Sequence, residues 1–308
     1  MNAGEKLVSV LIVNYNSGSY AKDCIYSLLN QQYVNLEIIL VDNASQDDSV
    51  KELREAFKNQ ILLIESQENL GFARANNLAA SKASGDYLLI LNPDTLIDES
   101  TAISYLVSFL DQNPKMGMVG PVIEEPRKGK TVLPRLRYPS SSGLKYSHKL
   151  LHLPGEIAWI LGACMLIKKS IYDKISGFDP DYFLYGEDAD ICLRIRLAGY
   201  EIGCCNNVKI THVAGASEFG ADSLDKWLRK KRGVFLFCIK NFDRRDALKI
   251  AKVAIIKSRI YLSTLYLTSP FRNKNGVTFI DKKHRLQATI LIAKEVVNQI
   301  KSVNPHVK

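Results

Sequence analysis

The chain has 308 residues, 46% hydrophobic and 24% charged, which is enough for a sizeable core and excludes a disordered, collagenous or multipass membrane protein. The net charge of +9 is unevenly placed: residues 1–216 hold 21 basic and 25 acidic side chains, whereas residues 217–308 hold 20 and 7. Such a split points to an anionic partner for the tail, a membrane surface or a nucleic acid.

In chain order, residues 7–13 are continuously apolar and rich in β-branched side chains, which predicts a strand buried on both faces. A helical pattern covers 20–31, and a second strand 36–41. Ser45, with Asp48 three residues on, predicts a capping-box start for a helix through Phe57. A third strand at 61–65, an Ala-rich helix at 72–84 and a fourth strand at 87–91 follow. The alternation implies right-handed crossovers and a mostly parallel sheet, an α/β fold. Residues 124–155 are rich in Pro, Lys, Arg, Ser and Gly without periodicity, and predict a long functional loop.

Apolar order returns at 159–167, followed by the turn Gly177-Phe178-Asp179-Pro180 and an aromatic run at 182–185. A helix is predicted over 187–198, stopped by Gly199. Val208, Ile210 and His212 alternate on one face of a late strand. Further on, 247–268 reads as an interfacial helix, the alternative being one that packs its apolar face on the catalytic domain and exposes only its lysines. Lys249, Lys252, Lys257 and Arg259 fall on one face, with Ile250, Ala254, Ile255, Tyr261, Leu262 and Leu265 opposite. The run Arg229-Lys230-Lys231-Arg232 beside Trp227 adds charge and an interface anchor. No window offers the ~20 apolar residues of a spanning helix, and the opening residues predict no secretory leader. Six scattered cysteines without a C-x-x-C pair predict buried, reduced thiols and a cytoplasmic location.

Ligands of open parallel sheets bind at the carboxyl ends of the strands. Those ends carry Asn14-Tyr15-Asn16, Asp42-Asn43, Asn69-Leu70-Gly71-Phe72-Ala73-Arg74 and Asn92-Pro93-Asp94. The first turn is not G-x-G-x-x-G, which disfavours a dinucleotide site, and no phosphate-binding G-x-x-x-x-G-K-[ST] loop occurs. Asp94 suits a hard cation such as Mg²⁺ or Mn²⁺; the bland alternative is a turn residue capping a helix near Ser100. Asp42 can accept hydrogen bonds from a base or ribose. Glu187-Asp188 opens a helix whose dipole keeps a carboxylate ionised, as a general base must be, although helix capping alone would also place acids there. His212 can complete a metal site or serve as a strand residue.

Taken in order, these segments resemble the inverting GT-A-type glycosyltransferases of family 2, within them the rhamnosyltransferase-like bacterial branch. The resemblance rests on Val8-Ser9-Val10-Leu11-Ile12-Val13-Asn14-Tyr15-Asn16, Val41-Asp42-Asn43-Ala44-Ser45, Asn69-Leu70-Gly71-Phe72-Ala73 and Leu91-Asn92-Pro93-Asp94. It continues through Gly162-Ala163, Gly177-Phe178-Asp179 and Phe183-Leu184-Tyr185-Gly186-Glu187-Asp188-Ala189-Asp190. The resemblance implies that Tyr15 lies against the nucleobase and Asp42 hydrogen-bonds it. Asp94 would stand at the metal position, with His212 as the later ligand of Mg²⁺ or Mn²⁺. Asp188, beside Glu187, would be the catalytic base. Asn92 stands where many members have the first Asp of Asp-x-Asp, so one negative charge is missing. Arg74 would help offset the diphosphate charge, and Trp159 with residues 182–185 would either wall the sugar or acceptor or serve as core residues.

The expectation is a GT-A catalytic domain over residues 1–216 and a basic helical region over 217–308. Its expected function is transfer of a sugar, with rhamnose from dTDP-rhamnose as the expected donor, to a surface-polysaccharide or polyprenyl-linked acceptor. The tail would dock on an anionic membrane, placing the protein peripherally on the inner face of the plasma membrane, with no nucleic-acid partner. Two alternatives are a nucleotidyltransferase, which would want a Gly-rich basic signature after the first strand, and a nucleic-acid binder acting through the basic tail.

Overall fold

A computed structural model describes residues 6–33, 35–139, 150, 152–213, 223–268 and 277–302. The predicted alternation forms β1 (Val8–Asn14), α1 (Ser19–Leu29), β2 (Leu36–Asp42), α2 (Ser49–Phe57), β3 (Leu62–Glu65), α3 (Gly71–Ala80) and β4 (Tyr87–Leu91). It continues through β5 (Thr95–Leu96), α4 (Ala102–Gln112), β6 (Met116–Glu125), β7 (Lys130–Val132), β8 (Cys164–Lys168), α5 (Lys169–Lys174), α6 (Glu187–Leu197) and β9 (Glu201–His212). Three long helices follow: α7 (Ser223–Asn241), α8 (Arg244–Leu267) and α9 (Val277–Ser302).

Nine strands make one sheet in the order β3-β2-β1-β4-β8-β6-β9-β5, with β7 on β6. The β3-β2-β1-β4 half is parallel, because each strand is followed by a helix that carries the chain back across the sheet. β8 runs antiparallel between β4 and β6, and β6 pairs in parallel with β9. β1 and β4 are buried along their whole length, as a central strand covered on both faces must be.

Four expectations change. Ser45 is not a cap: α2 starts at Ser49, and the Ser45 hydroxyl accepts from the Asn16 N–H at 2.9 Å. The late strand is longer than its alternating end suggests, because it begins at Glu201. The expected loop at 124–155 opens as structure. Glu124 and Glu125 end β6, and a turn through Gly129, at φ 56, returns the chain as β7. Residues 140–149 and 151 of that loop, and the expected 216/217 boundary, lie outside the described residues. The fourth change concerns α8, whose apolar face is largely covered. Ile250, Ala254 and Leu265 are buried, whereas Ile256, Ile260, Tyr261 and Leu267 are exposed among the basic residues. Trp227 is likewise no free anchor. Its Nε1–H donates to Asp281 at 2.8 Å, and Lys230, Lys231 and Arg285 lie over its ring.

The described residues divide into two compact units. One comprises those within 6–138, 153–183 and 187–213 and holds the sheet. The other includes 184–186, 223–268 and 277–302, where α9 packs against both α7 and α8. All six cysteines are free thiols, five of them buried. Among the described residues no helix is long and apolar enough to cross a membrane.

Candidate active site

Parallel register sets Asn14 beside Asp42 at the ends of β1 and β2. Asp42 is buried, with one carboxylate oxygen accepting from Asn14 Nδ2 at 2.7 Å and the other from the Ser45 N–H at 3.0 Å. Asn14 Nδ2 also donates to Ser49 Oγ at 2.9 Å. Asn16 takes a left-handed conformation, φ 48, and accepts from the Gln46 N–H at 2.7 Å. Tyr15 sits half-buried between these pinned neighbours. Two loops are thereby locked into one polar rim, with Asp42 oriented before any ligand arrives.

The next strand end is tied to the first two through Asn43. Its side-chain oxygen accepts from the Leu70 N–H at 2.7 Å, and its Nδ2 donates to Asn69 Oδ1 at 2.9 Å. Gly71 then turns at φ 77, and the following N–H, of Phe72, donates to the Phe183 carbonyl at 2.7 Å. A Cβ on Gly71 would lie 2.5 Å from that carbonyl oxygen, so only glycine allows the approach. Arg74 is exposed on α3, with its Nε donating to the Pro180 carbonyl at 2.9 Å. This engages the 177–180 turn rather than Asp94 or His212. That turn is fixed by Asn77, whose Oδ1 accepts from the Phe178 N–H and the Tyr172 hydroxyl.

Asp94 does not cap a helix. Thr95 pairs with His212 in the β5–β9 ladder, which brings Asp94 Oδ1 to 3.3 Å from His212 Nε2. Both side chains are over nine-tenths buried. Asn92 Nδ2 lies 3.4 Å from the same nitrogen. The other ring nitrogen, Nδ1, is 3.4 Å from Glu125 Oε1 at the end of β6. Glu125 is in turn held by Lys128 at 3.2 Å and Lys130 at 3.0 Å. Burial alone would raise the Glu125 carboxyl, but these two ammonium groups outweigh it and leave it below its ordinary value.

Neighbouring ligands of an octahedral ion with 2.1 Å bonds are about 3.0 Å apart, so the Asp94–His212 spacing fits a divalent cation with positions left for phosphate oxygens. Asp94 and His212 would be the two protein donors to such an ion. No group of three or more His, Cys, Asp or Glu suited to a metal occurs among the described residues.

Glu187 and Asp188 open α6 as expected, yet they differ. Glu187 is buried with one carboxylate oxygen unpartnered, and burial plus the Asp188 charge push its carboxyl well above the ordinary range. Asp188 is half-buried, and burial raises it as well. The N–H groups of Ala189 (2.8 Å) and Gly162 oppose that rise by donating to the carboxylate. The residue after Gly162 carries the link onward, because Ala163 accepts from the Asn92 N–H at 2.9 Å. One short loop therefore touches both the proposed base and the loop that bears Asp94. Asp190 is structural, paired with Arg194 at 2.7 Å. Of the expected aromatic wall, Tyr182 is core, Phe183 is half exposed, and Trp159 donates from Nε1 to the Arg137 carbonyl.

The sequence reading passed over Glu125, because nothing in it set β6 apart as a strand. Asn43 is visible in the sequence only as a strand-end residue, and its tie to Asn69 and Leu70 depends on the fold.

Known proteins share this fold and its family motifs. Residues 9–176 match Glycosyl transferase family 2, and residues 143–215 match the N-terminal domain of galactosyltransferase. A poly-beta-1,6-N-acetyl-D-glucosamine synthase of Staphylococcus epidermidis is 30% identical over 199 residues, covering 63% of this chain and 47% of that protein. The synthase of Staphylococcus aureus strain COL is 28% identical over the same extent. The chain thus spans about half the length of these relatives, and neither is described as a rhamnosyltransferase. Among solved structures, a mannosyltransferase from Pyrobaculum calidifontis in complex with GDP-Man and Mn²⁺ superposes with TM-score 0.61 at 17% identity, covering 99% of this chain and 89% of that one. TarS of S. aureus in complex with UDP-GlcNAc gives 0.55 at 15% identity, covering 96% and 83%. The fold is GT-A, a mixed α/β sheet followed by a helical C-terminal region. On the match over more than half its length, the chain belongs to glycosyltransferase family 2.

Proposed function

We propose that the protein transfers a sugar from a nucleotide donor to a surface-glycan or polyprenyl-linked acceptor, inverting the anomeric centre. The observation that carries this reading is the loop Gly162-Ala163, in which Gly162 lies against Asp188 and the Ala163 carbonyl accepts from the Asn92 N–H at 2.9 Å. It supports the base beside the diphosphate end of a single site. In this reading Tyr15 and Asp42 receive the nucleoside, and Asp94 with His212 hold a Mg²⁺ or Mn²⁺ ion that neutralises the diphosphate leaving group when bound. Asp188 takes the proton of the acceptor hydroxyl as that oxygen attacks the anomeric carbon. Direct displacement by that oxygen needs no covalent intermediate, and Glu187, buried next in sequence to the base, has its carboxyl pushed above the ordinary range. Arg74 is assigned a supporting cation at the rim.

For the donor, rhamnose from dTDP-rhamnose follows from the motif resemblance, whereas the synthases it matches favour N-acetylglucosamine. The helical region, with Ile256, Ile260, Tyr261 and Leu267 exposed among Lys249, Lys252, Lys257 and Arg259, is assigned to an anionic membrane surface, on the cytoplasmic side. Thermal-shift measurements with UDP-, GDP- and dTDP-sugars, each with Mn²⁺ or EDTA, test the donor assignment. One matched donor should raise Tm in a concentration-dependent way, and EDTA should abolish most of that rise. No response to any nucleotide sugar would overturn the reading.

A further inference from the structure

The basic run of α7 meets α9 at a place that the transfer reaction does not use. Trp227, Lys230 and Lys231 are spaced i, i+3 and i+4, so α7 carries them on one face. Two ties hold that face to α9: Trp227 Nε1–H donates to Asp281 at 2.8 Å, and Ser223 Oγ meets His284 Nδ1. Arg285 is thereby brought to 5.8 Å from the Trp227 ring centroid, beside Lys230 at 5.4 Å and Lys231 at 5.8 Å. Lys230 is shared with a second ring, that of Tyr185 at 4.8 Å. Asp281 and Arg285 stand i, i+4 on α9, the spacing of a helical ion pair, yet the Asp281 carboxylate goes to the indole. Among the described residues no carboxylate reaches ion-pair distance of Lys231 or Arg285. Lys231 is half-buried, and burial together with the Arg285 charge lowers its ammonium below the ordinary value. Two like charges held together without a counter-charge cost stability, and an anion between them removes that cost. A guanidinium fork beside an ammonium suits phosphate oxygens. The cations over the indole occupy the faces on which a nucleobase would stack, which favours a phosphate ester without a base.

We propose that Lys231 and Arg285, gathered on Trp227, bind a diphosphate ester, the headgroup of a polyprenyl-linked acceptor. The same helical unit exposes Ile256, Ile260 and Leu267, which suits an anion carried on an apolar chain. The acceptor rests on the proposed transfer reaction, whereas the anion site itself does not, and the experiment separates the two.

In the full chain carrying Trp159→Phe, Trp227 is the one remaining tryptophan. Its emission is titrated, without divalent cation, with farnesyl diphosphate, inorganic diphosphate and a single-stranded oligonucleotide. Farnesyl diphosphate should change the emission saturably and bind more tightly than inorganic diphosphate. Lys231→Met and Arg285→Gln should each weaken it about 10–100-fold, the range for losing a charged hydrogen-bond partner. Lys294→Gln, which removes one exposed charge further along α9, should weaken it less than about twofold, because salt screens a distant surface charge. Lys231→Met should also raise the Tm of the protein alone, since it keeps the stem and removes a charge without a counter-charge, whereas a lysine that merely packs gives no such gain. Arg285 is exposed, so its variant tests the site even if Lys231→Met does not fold. No emission change with either diphosphate, a loss in Lys294→Gln equal to that in Arg285→Gln, or tighter binding of the oligonucleotide overturns the proposal. Inorganic diphosphate that binds as tightly as the farnesyl ester overturns the lipid-linked source. A donor-dependent Tm rise in a protein that binds no diphosphate removes this site and leaves sugar transfer standing. Diphosphate binding that both variants lose, in a wild type that binds no nucleotide sugar, keeps the site and removes the transfer reading.

Discussion

A carboxylate serves as a base only if it is ionised and reachable, and Glu187 and Asp188 differ on both counts. Glu187 is enclosed, and the neighbouring Asp188 charge adds to its desolvation, so its carboxyl is pushed further above the ordinary range than that of Asp188. Asp188 is reachable, and backbone N–H groups, that of Ala189 at 2.8 Å among them, favour its charged form. Asp188→Asn should leave the fold and donor affinity in place while turnover falls by ~10²–10⁴. Turnover near wild type would move the assignment to Glu187. The raised carboxyl also sets a direction for pH. The base works only when deprotonated, so kcat/KM should fall as pH drops through a midpoint above the ordinary Asp value of about 3.9. A pH–rate profile in buffers that tolerate Mn²⁺ checks this, and an acid limb at the ordinary value would mean Asp188 is more solvated in solution.

The elements deliver these side chains by register and by two tight turns. Thr95 opposite His212 assembles the Asp94–His212 pair from strands separated by over a hundred residues. Gly71 lets the segment before α6 come against the start of α3, through Phe72 and Phe183. Gly71→Ala forces a left-handed φ on a residue with a Cβ and drives that Cβ into the Phe183 backbone. The expected loss is about 2–4 kcal/mol, which for a chain of 308 residues lowers Tm by roughly 3–6 °C. Circular dichroism melts measure it, and a Tm unchanged within 1–2 °C would show that the Phe183 segment yields cheaply. β6 explains why part of the site was hard to read. Its stretch Met116-Gly117-Met118-Val119-Gly120-Pro121 is broken by two glycines and a proline, which ordinarily argue against a strand. The sheet accommodates them because the register slips at Pro121/Val122 and because Gly120 leaves room for Ile160.

Across the whole molecule, charge is the property that composition alone exposes: a net of −4 up to residue 216 and +13 beyond it. The helical unit buries Ile250, Ala251, Ala254 and Leu265 of α8, yet leaves Ile256, Ile260 and Leu267 more than half exposed. At about 1 kcal/mol for each basic side chain near an anionic leaflet, a few of the residues Lys249, Lys252, Lys257 and Arg259 suffice for reversible attachment. The protein should sediment with phosphatidylserine-containing vesicles at low salt, be released at 0.5 M NaCl, and ignore neutral vesicles. Binding that is indifferent to lipid charge would assign the exposed stripe to another protein instead.

The sequence by itself determined the parallel half of the sheet and the residues at its strand ends, because burial on both faces and the strand–helix alternation write themselves in local periodicity. Tyr15, Asp42, Asn92, Asp94 and the Glu187-Asp188 pair were legible for the same reason: each follows a readable element. Only the tertiary structure decided what these residues meet. It placed Glu125 on His212, gave Ser45 to Asn16 instead of a helix cap, and turned the predicted apolar face of α8 largely inward. Those outcomes depend on strand register and on competition between two faces of one helix, and both are settled by contacts between residues far apart in the chain, which local pattern does not encode.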